Sequence, residues 1–151
     1  MTSLRSRLLG EVQEILRGYE SWDGEIVKSR EFGRGQWRIW CGEGRFEPDR
    51  RNGAYAKRTR VALNFQITGQ HDALQTYEIC VTWPAHDTHH VGWQLMFHFD
   101  PQRAAWPDHP EHHLQVSATR DAEPPPFAHW RIPLGITDPA KFLEFVQLQV
   151  A

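Results

Sequence analysis

The apolar residues near the amino terminus recur at the spacing of an α-helix. Thr2 and Ser3 supply an N-cap, and Gly18 with the turn-forming residues 21–24 ends the periodic segment. The i, i+3, i+4 spacing predicts an amphipathic helix that runs to about Tyr19. Its apolar side consists of Leu8, Leu9, Val12, Ile15, Leu16 and Tyr19.

After residue 24 the apolar period changes to two, which is typical of strands that bury one face. The alternation predicts a hairpin of residues 24–32 and 36–46 around Gly33-Arg34-Gly35. Three further alternating runs, 61–67, 77–83 and 91–99, indicate the same antiparallel sheet, and residues 112–118 add another strand.

The carboxyl-terminal part of the chain begins with prolines and ends in a helix. Residues 121–133 contain Pro124-Pro125-Pro126, and because proline lacks an N–H donor we predict no regular structure there. Thr137 or Asp138 caps a last helix with Pro139 in its first turn. The inner side of that helix carries Phe142, Phe145, Val146 and Gln149.

These elements predict an α+β fold with two layers, in which an N-terminal and a C-terminal helix pack on one face of an antiparallel sheet of five to six strands. A length of 151 residues with 40% hydrophobic residues indicates a single domain, residues 1–151. No apolar run is long enough to cross a bilayer, and Arg5 and Arg7 interrupt any signal-peptide segment. Two cysteines favour a reducing compartment. We therefore expect a cytoplasmic protein without a membrane partner, and, because cofactor-binding motifs are absent, without a cofactor.

Three polar residues are predicted to lie together on the sheet face that the helices leave open. The alternation directs Glu78, His98 and His113 to that face. Hairpin arithmetic predicts that His98 lies opposite His113 and that Glu78 lies opposite Met96, which makes the three residues direct or diagonal neighbours.

Such a patch allows two chemistries and one inert interpretation. Two imidazoles can serve as general base and general acid in metal-independent RNA cleavage, with Glu78 orienting one ring. The same side chains can ligate a divalent metal through Glu78 and two imidazoles. They can also be ordinary solvated or hydrogen-bonded surface histidines. We take Glu78, His98 and His113 as candidate catalytic residues and leave open whether the protein is an enzyme.

The charge is distributed unevenly. Residues 1–60 carry 13 Lys and Arg against 9 Asp and Glu, whereas residues 61–151 carry 4 against 10 and all nine histidines. A polar loop over residues 47–59 contributes much of the basic excess, and Tyr55 lies within it. Basic residues next to aromatic ones suit single-stranded nucleic acid, and the alternative is a solvated loop. The candidate nucleic-acid-binding residues are Arg50, Arg51, Lys57, Arg58 and Arg60.

The last third of the chain carries a recognisable pattern. The run His109-Pro110-x-x-His113-Leu114-x-Val116, then Arg131-x-Pro133 and Asp138-Pro139-x-x-Phe142-x-x-Phe145, resembles the tail of TumE-like toxins and of uncharacterised small bacterial proteins of defence loci. The resemblance covers about residues 109–146. It implies a bacterial, cytosolic context and a protein partner encoded nearby.

Two functions follow from these observations. The first is a small bacterial protein of toxin–antitoxin or phage-defence type that binds or cleaves RNA through the histidine patch and the basic loop. The alternative is a non-catalytic interaction module, a subunit or adaptor of a bacterial defence or regulatory complex, that docks a protein through exposed aromatics and Pro124-Pro125-Pro126-Phe127. A homodimer is compatible with either function.

Overall fold

The computed structural model describes residues 2–19, 21–46, 60–83, 92–102, 104, 109–118 and 131–149. Within these ranges the chain forms two helices and seven strands, so the predicted α+β fold is confirmed with a slightly higher strand count. In chain order the elements are α1 (Leu4–Arg17), β1 (Lys28–Glu31), a short 3-10 turn (Gly33–Gly35), β2 (Gln36–Phe46), β3 (Val61–Gln70), β4 (Ala73–Trp83), β5 (Trp93–Phe99), β6 (His112–Ala118), β7 (Arg131–Pro133) and α2 (Pro139–Gln149).

The seven strands form one antiparallel sheet in which each strand pairs with its neighbours in the chain, in the order β1 to β7. The central strands β2 and β3 alternate between buried and more exposed side chains. The two edge strands are short, with four residues in β1 and three in β7. One sheet face is therefore apolar and covered, and the other is polar and open.

Both helices pack on the apolar face, and both begin at the predicted caps. The Ser3 hydroxyl accepts the Ser6 N–H at 3.2 Å at the start of α1. The Asp138 carboxylate accepts the Ala140 N–H at 3.0 Å at the start of α2. Among the helices that the structure describes, none is long and apolar enough to span a membrane.

The core joins the two helices to the middle of the sheet. The Tyr19 hydroxyl, which is buried after the end of α1, donates to the Leu143 carbonyl of α2 at 2.8 Å. Phe142 of α2 stacks on Phe97 of β5 with ring centroids 4.9 Å apart. The other core side chains include Leu8, Val12, Leu16, Ile39, Leu63, Ile67, Ile79, Val81 and Val146.

Four local predictions need correction. Phe145, predicted on the inner side of α2, is 49% exposed, and Leu143 is buried instead. The first strand occupies only Lys28–Glu31 rather than residues 24–32. The predicted irregular segment 121–133 ends in a strand, β7, which pairs with β6; its Pro133 is tolerated because β7 is an edge strand. Glu78 lies opposite His98 rather than Met96, a shift of two residues that keeps every side chain on its predicted face.

Two glycines give a test of the packing between β2 and β3. A Cβ at Gly69 would lie 2.0 Å from Cζ2 of Trp37 and 2.6 Å from the Ala73 carbonyl oxygen, whereas a Cβ at Gly10 in α1 would meet nothing within 4 Å. We expect Gly69→Ala to lower the free energy of unfolding by ~1–3 kcal/mol through overpacking. We expect Gly10→Ala to raise it by ~0.5–1 kcal/mol, because alanine favours the helix. Urea unfolding followed by tryptophan fluorescence measures both, and an unchanged Gly69→Ala midpoint would contradict the close approach of Trp37 to Gly69.

Candidate functional site

A continuous row of side chains crosses the open face of the sheet from one edge to the other. Each member lies directly opposite the next in the antiparallel register, so neighbouring Cβ atoms are ~4.5–5.5 Å apart. The row consists of Lys28, Trp40, Gln66, Glu78, His98, His113 and Pro133.

The three candidate catalytic residues occupy the centre of this row. Nδ1 of His98 lies 3.8 Å from a carboxylate oxygen of Glu78. The rings of His98 and His113 are stacked, with centroids 5.1 Å apart and an angle of 3° between their planes. The predicted pairing of His98 with His113 is confirmed. The sequence-predicted patch therefore forms, with His98 between the other two side chains.

The three side chains differ sharply in their access to solvent. His113 is 1% exposed, whereas the Glu78 side chain is 57% and the His98 side chain 20% exposed. The ring of His109 covers His113 edge-on, with centroids 4.7 Å apart. His113 therefore lies on the open face by register but is enclosed beneath the residues that precede β6.

The buried ring of His113 has a defined tautomer. Its Nδ1 lies 2.8 Å from the Pro110 carbonyl oxygen. Since a carbonyl oxygen accepts only, Nδ1 carries the proton, and in the neutral ring Nε2 does not. This hydrogen bond fixes the ring in the stack with His98.

Burial and charge hold both rings in the neutral form. Desolvation lowers the pKa of His98, as do His109 and Arg131, while the carboxylates of Glu78 and Asp100 oppose this shift. Desolvation also lowers the pKa of His113, as do His98, His109 and Arg131, while the hydrogen bond to the Pro110 carbonyl opposes this shift. Both imidazoles are consequently neutral at pH 7.

This arrangement is poorly suited to an acid–base pair. In the described part of the chain, Nε2 of His98 is buried and without a hydrogen-bond partner, and His113 has almost no contact with solvent. A substrate proton must come within hydrogen-bond reach of the catalytic nitrogen. The described residues also contain no group of three or more His, Cys, Asp or Glu placed to hold a metal ion.

The basic loop lies largely beyond the described residues. Arg50, Arg51, Lys57 and Arg58 fall in that part, and their nucleic-acid role stays a prediction. Arg60 is described and has internal partners: its guanidinium is 2.6 Å from a carboxylate oxygen of Asp23 and 2.7 Å from the Ser21 carbonyl oxygen. Arg60 thereby anchors the segment before β1 against the start of β3.

The open face also carries a cationic pair that is not among the residues predicted from the sequence. Arg30 of β1 and Arg38 of β2 are direct cross-strand partners. The guanidinium of Arg30 lies over the ring of Phe32, and that of Arg38 lies over the ring of Trp40, at 5.3 Å and 4.9 Å from the centroids. The predicted hairpin around Gly33-Arg34-Gly35 contained the signal, because a turn centred on residue 34 places positions 30 and 38 opposite each other.

Comparisons of this chain with protein-family models, with curated proteins and with solved structures find no match. The resemblance of residues 109–146 to TumE-like toxins therefore stays a prediction.

The buried histidines predict a loss of stability in acid. The unfolded chain binds protons on His98 and His113 near pH ~6.5, and the folded chain binds them only at lower pH. We expect the free energy of unfolding to fall as pH drops below ~6.5, by at most ~1.4 kcal/mol per pH unit for each of these histidines. Urea unfolding across this pH range measures the slope.

Two matched variants test the role of His113. His113→Asn keeps a donor toward the Pro110 carbonyl but does not titrate. His71→Asn removes an exposed histidine at φ 50°, a backbone conformation that asparagine tolerates. We expect a shallower acid slope for His113→Asn and an unchanged slope for His71→Asn. Equal slopes in all three proteins would contradict the burial of a neutral His113.

Proposed function

We propose that this chain binds single-stranded RNA along the open face of its sheet. The observation that carries the proposal is the continuous row from Lys28 to His113, which no described helix covers. The row extends across six strands, and its members point in one direction because they share one face of the pleat.

The chemistry of the row suits unstacked bases better than a duplex. Trp40 offers an aromatic surface, and base stacking on such rings contributes ~1–3 kcal/mol per base. The Gln66 amide and the Glu78 carboxylate are exposed, and they provide the donor and acceptors that read base edges. Lys28 contributes a cation at the edge of the sheet, although its ammonium also contacts Glu25.

The geometry favours binding over cleavage. Nε2 of His98 is enclosed, and the buried His113 ring donates to Pro110, so the two stacked imidazoles hold a fixed position beside the exposed carboxylate of Glu78. We therefore assign Glu78 and His98 to RNA contact and His113 to support of His98.

Docking of a protein partner is the second candidate function. Its support is a set of large apolar side chains that remain exposed near the carboxyl terminus, on β7, in the segment before α2 and on α2 itself. These are Ile132, Ile136, Phe145 and Leu148. They belong to the helix-bearing side of the molecule, so this function and RNA binding on the open face do not compete for the same residues.

RNA binding is tested with a labelled oligouridine and a pair of aromatic variants. We expect the wild-type chain to bind, with affinity that falls as salt rises. We expect Trp40→Leu to weaken binding about tenfold, since one stacked base is lost. Phe145→Leu, on the helix side, is the control and should bind as wild type. Fluorescence anisotropy measures both affinities, and a wild-type chain that leaves the oligonucleotide free would contradict the proposal.

Cleavage is tested on the same oligonucleotide. We expect the RNA to remain intact after prolonged incubation with the wild-type chain at neutral pH. Nε2 of His98 and the ring of His113 are both buried, so the two imidazoles cannot serve as an acid and a base toward a substrate in solvent. Denaturing gel electrophoresis provides the readout. Cleavage that disappears in His98→Asn and persists in His71→Asn would overturn this expectation and support the catalytic hypothesis for the patch.

A further inference from the structure

The β1–β2 hairpin brings two like charges together on the open face. Arg30 and Arg38 lie directly opposite each other, and like charges in this position destabilise a strand pair. Neither guanidinium forms an ion pair with a carboxylate of the described residues. Other arginines of the same region behave differently, since Arg5 contacts Glu31 and Arg45 contacts Glu43.

The two positions that follow the pair across the sheet carry no charge. The next positions across the sheet are Thr68 and Thr76, whose hydroxyl oxygens are 2.6 Å apart. Within the described part of the chain, Nε of Arg38 is buried without a hydrogen-bond partner. Two guanidiniums that pair with no carboxylate of the described residues, and that lie beside neutral hydroxyls, are suited to an external anion, which a guanidinium binds through paired N–H donors.

Each arginine also lies over an aromatic ring two residues later in the chain, in Arg30-x-Phe32 and Arg38-x-Trp40. Because the strands are antiparallel, the two rings lie on opposite sides of the arginine pair. Phe32 is on the side of the turn, where its N–H donates to the Gln36 carbonyl at 2.7 Å, and Trp40 is on the far side, opposite Lys28. The hairpin thus presents ring, cation pair and ring in sequence.

This order matches one step of single-stranded nucleic acid, in which a phosphodiester joins two bases. We propose that Arg30 and Arg38 bind one backbone phosphate of single-stranded RNA, while Phe32 and Trp40 accept the bases on either side of it. The inference rests on the proposed function, and it locates the phosphate contact on described strands rather than in the predicted loop of residues 47–59. Binding of the phosphate also removes the repulsion between the two guanidiniums.

The main test compares two double variants that each remove two positive charges. Arg30→Gln with Arg38→Gln removes the pair, and Arg17→Gln with Lys141→Gln removes exposed charges on the helices. The ligand is an oligouridine of about eight nucleotides, and the salt concentration runs from about 50 to 200 mM. We expect the Arg30→Gln/Arg38→Gln variant to bind about tenfold more weakly than wild type. We also expect its slope of log affinity against log salt concentration to be smaller in magnitude by about 0.7, the value of one phosphate contact. We expect the Arg17→Gln/Lys141→Gln variant to leave both quantities unchanged.

A competition experiment on the wild-type chain tests the same inference without any substitution. We expect the dinucleoside monophosphate UpU to displace the labelled RNA, and its uncharged methylphosphonate counterpart to displace it at least tenfold less effectively. Phe32→Leu should weaken UpU binding, because Phe32 contacts a base only in this proposal.

The outcomes separate the inference from the function on which it depends. The phosphate site is overturned, and RNA binding is left intact, in either of two cases. In the first, the wild-type chain binds RNA and the two double variants show equal affinities and salt slopes. In the second, the charged and uncharged dinucleotides compete equally well. A wild-type chain that binds no RNA overturns both. Unfolding of each double variant in urea provides the folding control, and relief of the like-charge contact should leave the Arg30→Gln/Arg38→Gln variant at least as stable as wild type.

Discussion

The pleat of the sheet is the constraint on which this structure depends. Successive side chains of a strand point to opposite faces, so burial of Ile67 and Ile79 beneath the helices commits Gln66 and Glu78 to the other face. The same rule operates across strands, because directly paired residues share a face. A slip of one residue in any central strand would interrupt both the core and the polar row, so the energy that buries the apolar side chains also maintains the row.

This constraint explains which features were predictable from sequence. Alternation indicated the buried and open faces of the central strands, and it was sufficient to pair His98 with His113. Glu78 was predicted to lie opposite Met96, two residues from its observed partner His98. Alternation determines the face to which a side chain points, whereas the exact register depends on the loop between β4 and β5. Strand β7 was missed for a different reason: the prolines that precede it and its own Pro133 obscure a strand of three residues.

Burial of the site could not be derived from pattern alone. His113 alternates as a surface residue, yet His109 and Pro110 enclose it through contacts that depend on the conformation of the chain before β6. Arg60 likewise resembles a free cation until the fold brings Asp23 to it. Local spacing reports the direction of a side chain with respect to its own strand, whereas its partners come from segments that are distant in sequence.

The two short edge strands affect how the sheet behaves toward other chains. An antiparallel sheet ends in rows of unpaired backbone N–H and C=O groups, which can recruit strands from a neighbouring molecule. Here one edge offers four residues that include Lys28 and Arg30, and the other offers three residues and ends in a proline that lacks a donor. Short length, positive charge and a terminal proline are the features by which edge strands disfavour the edge-to-edge addition that leads to fibrils, and the two edges of this sheet share them between them.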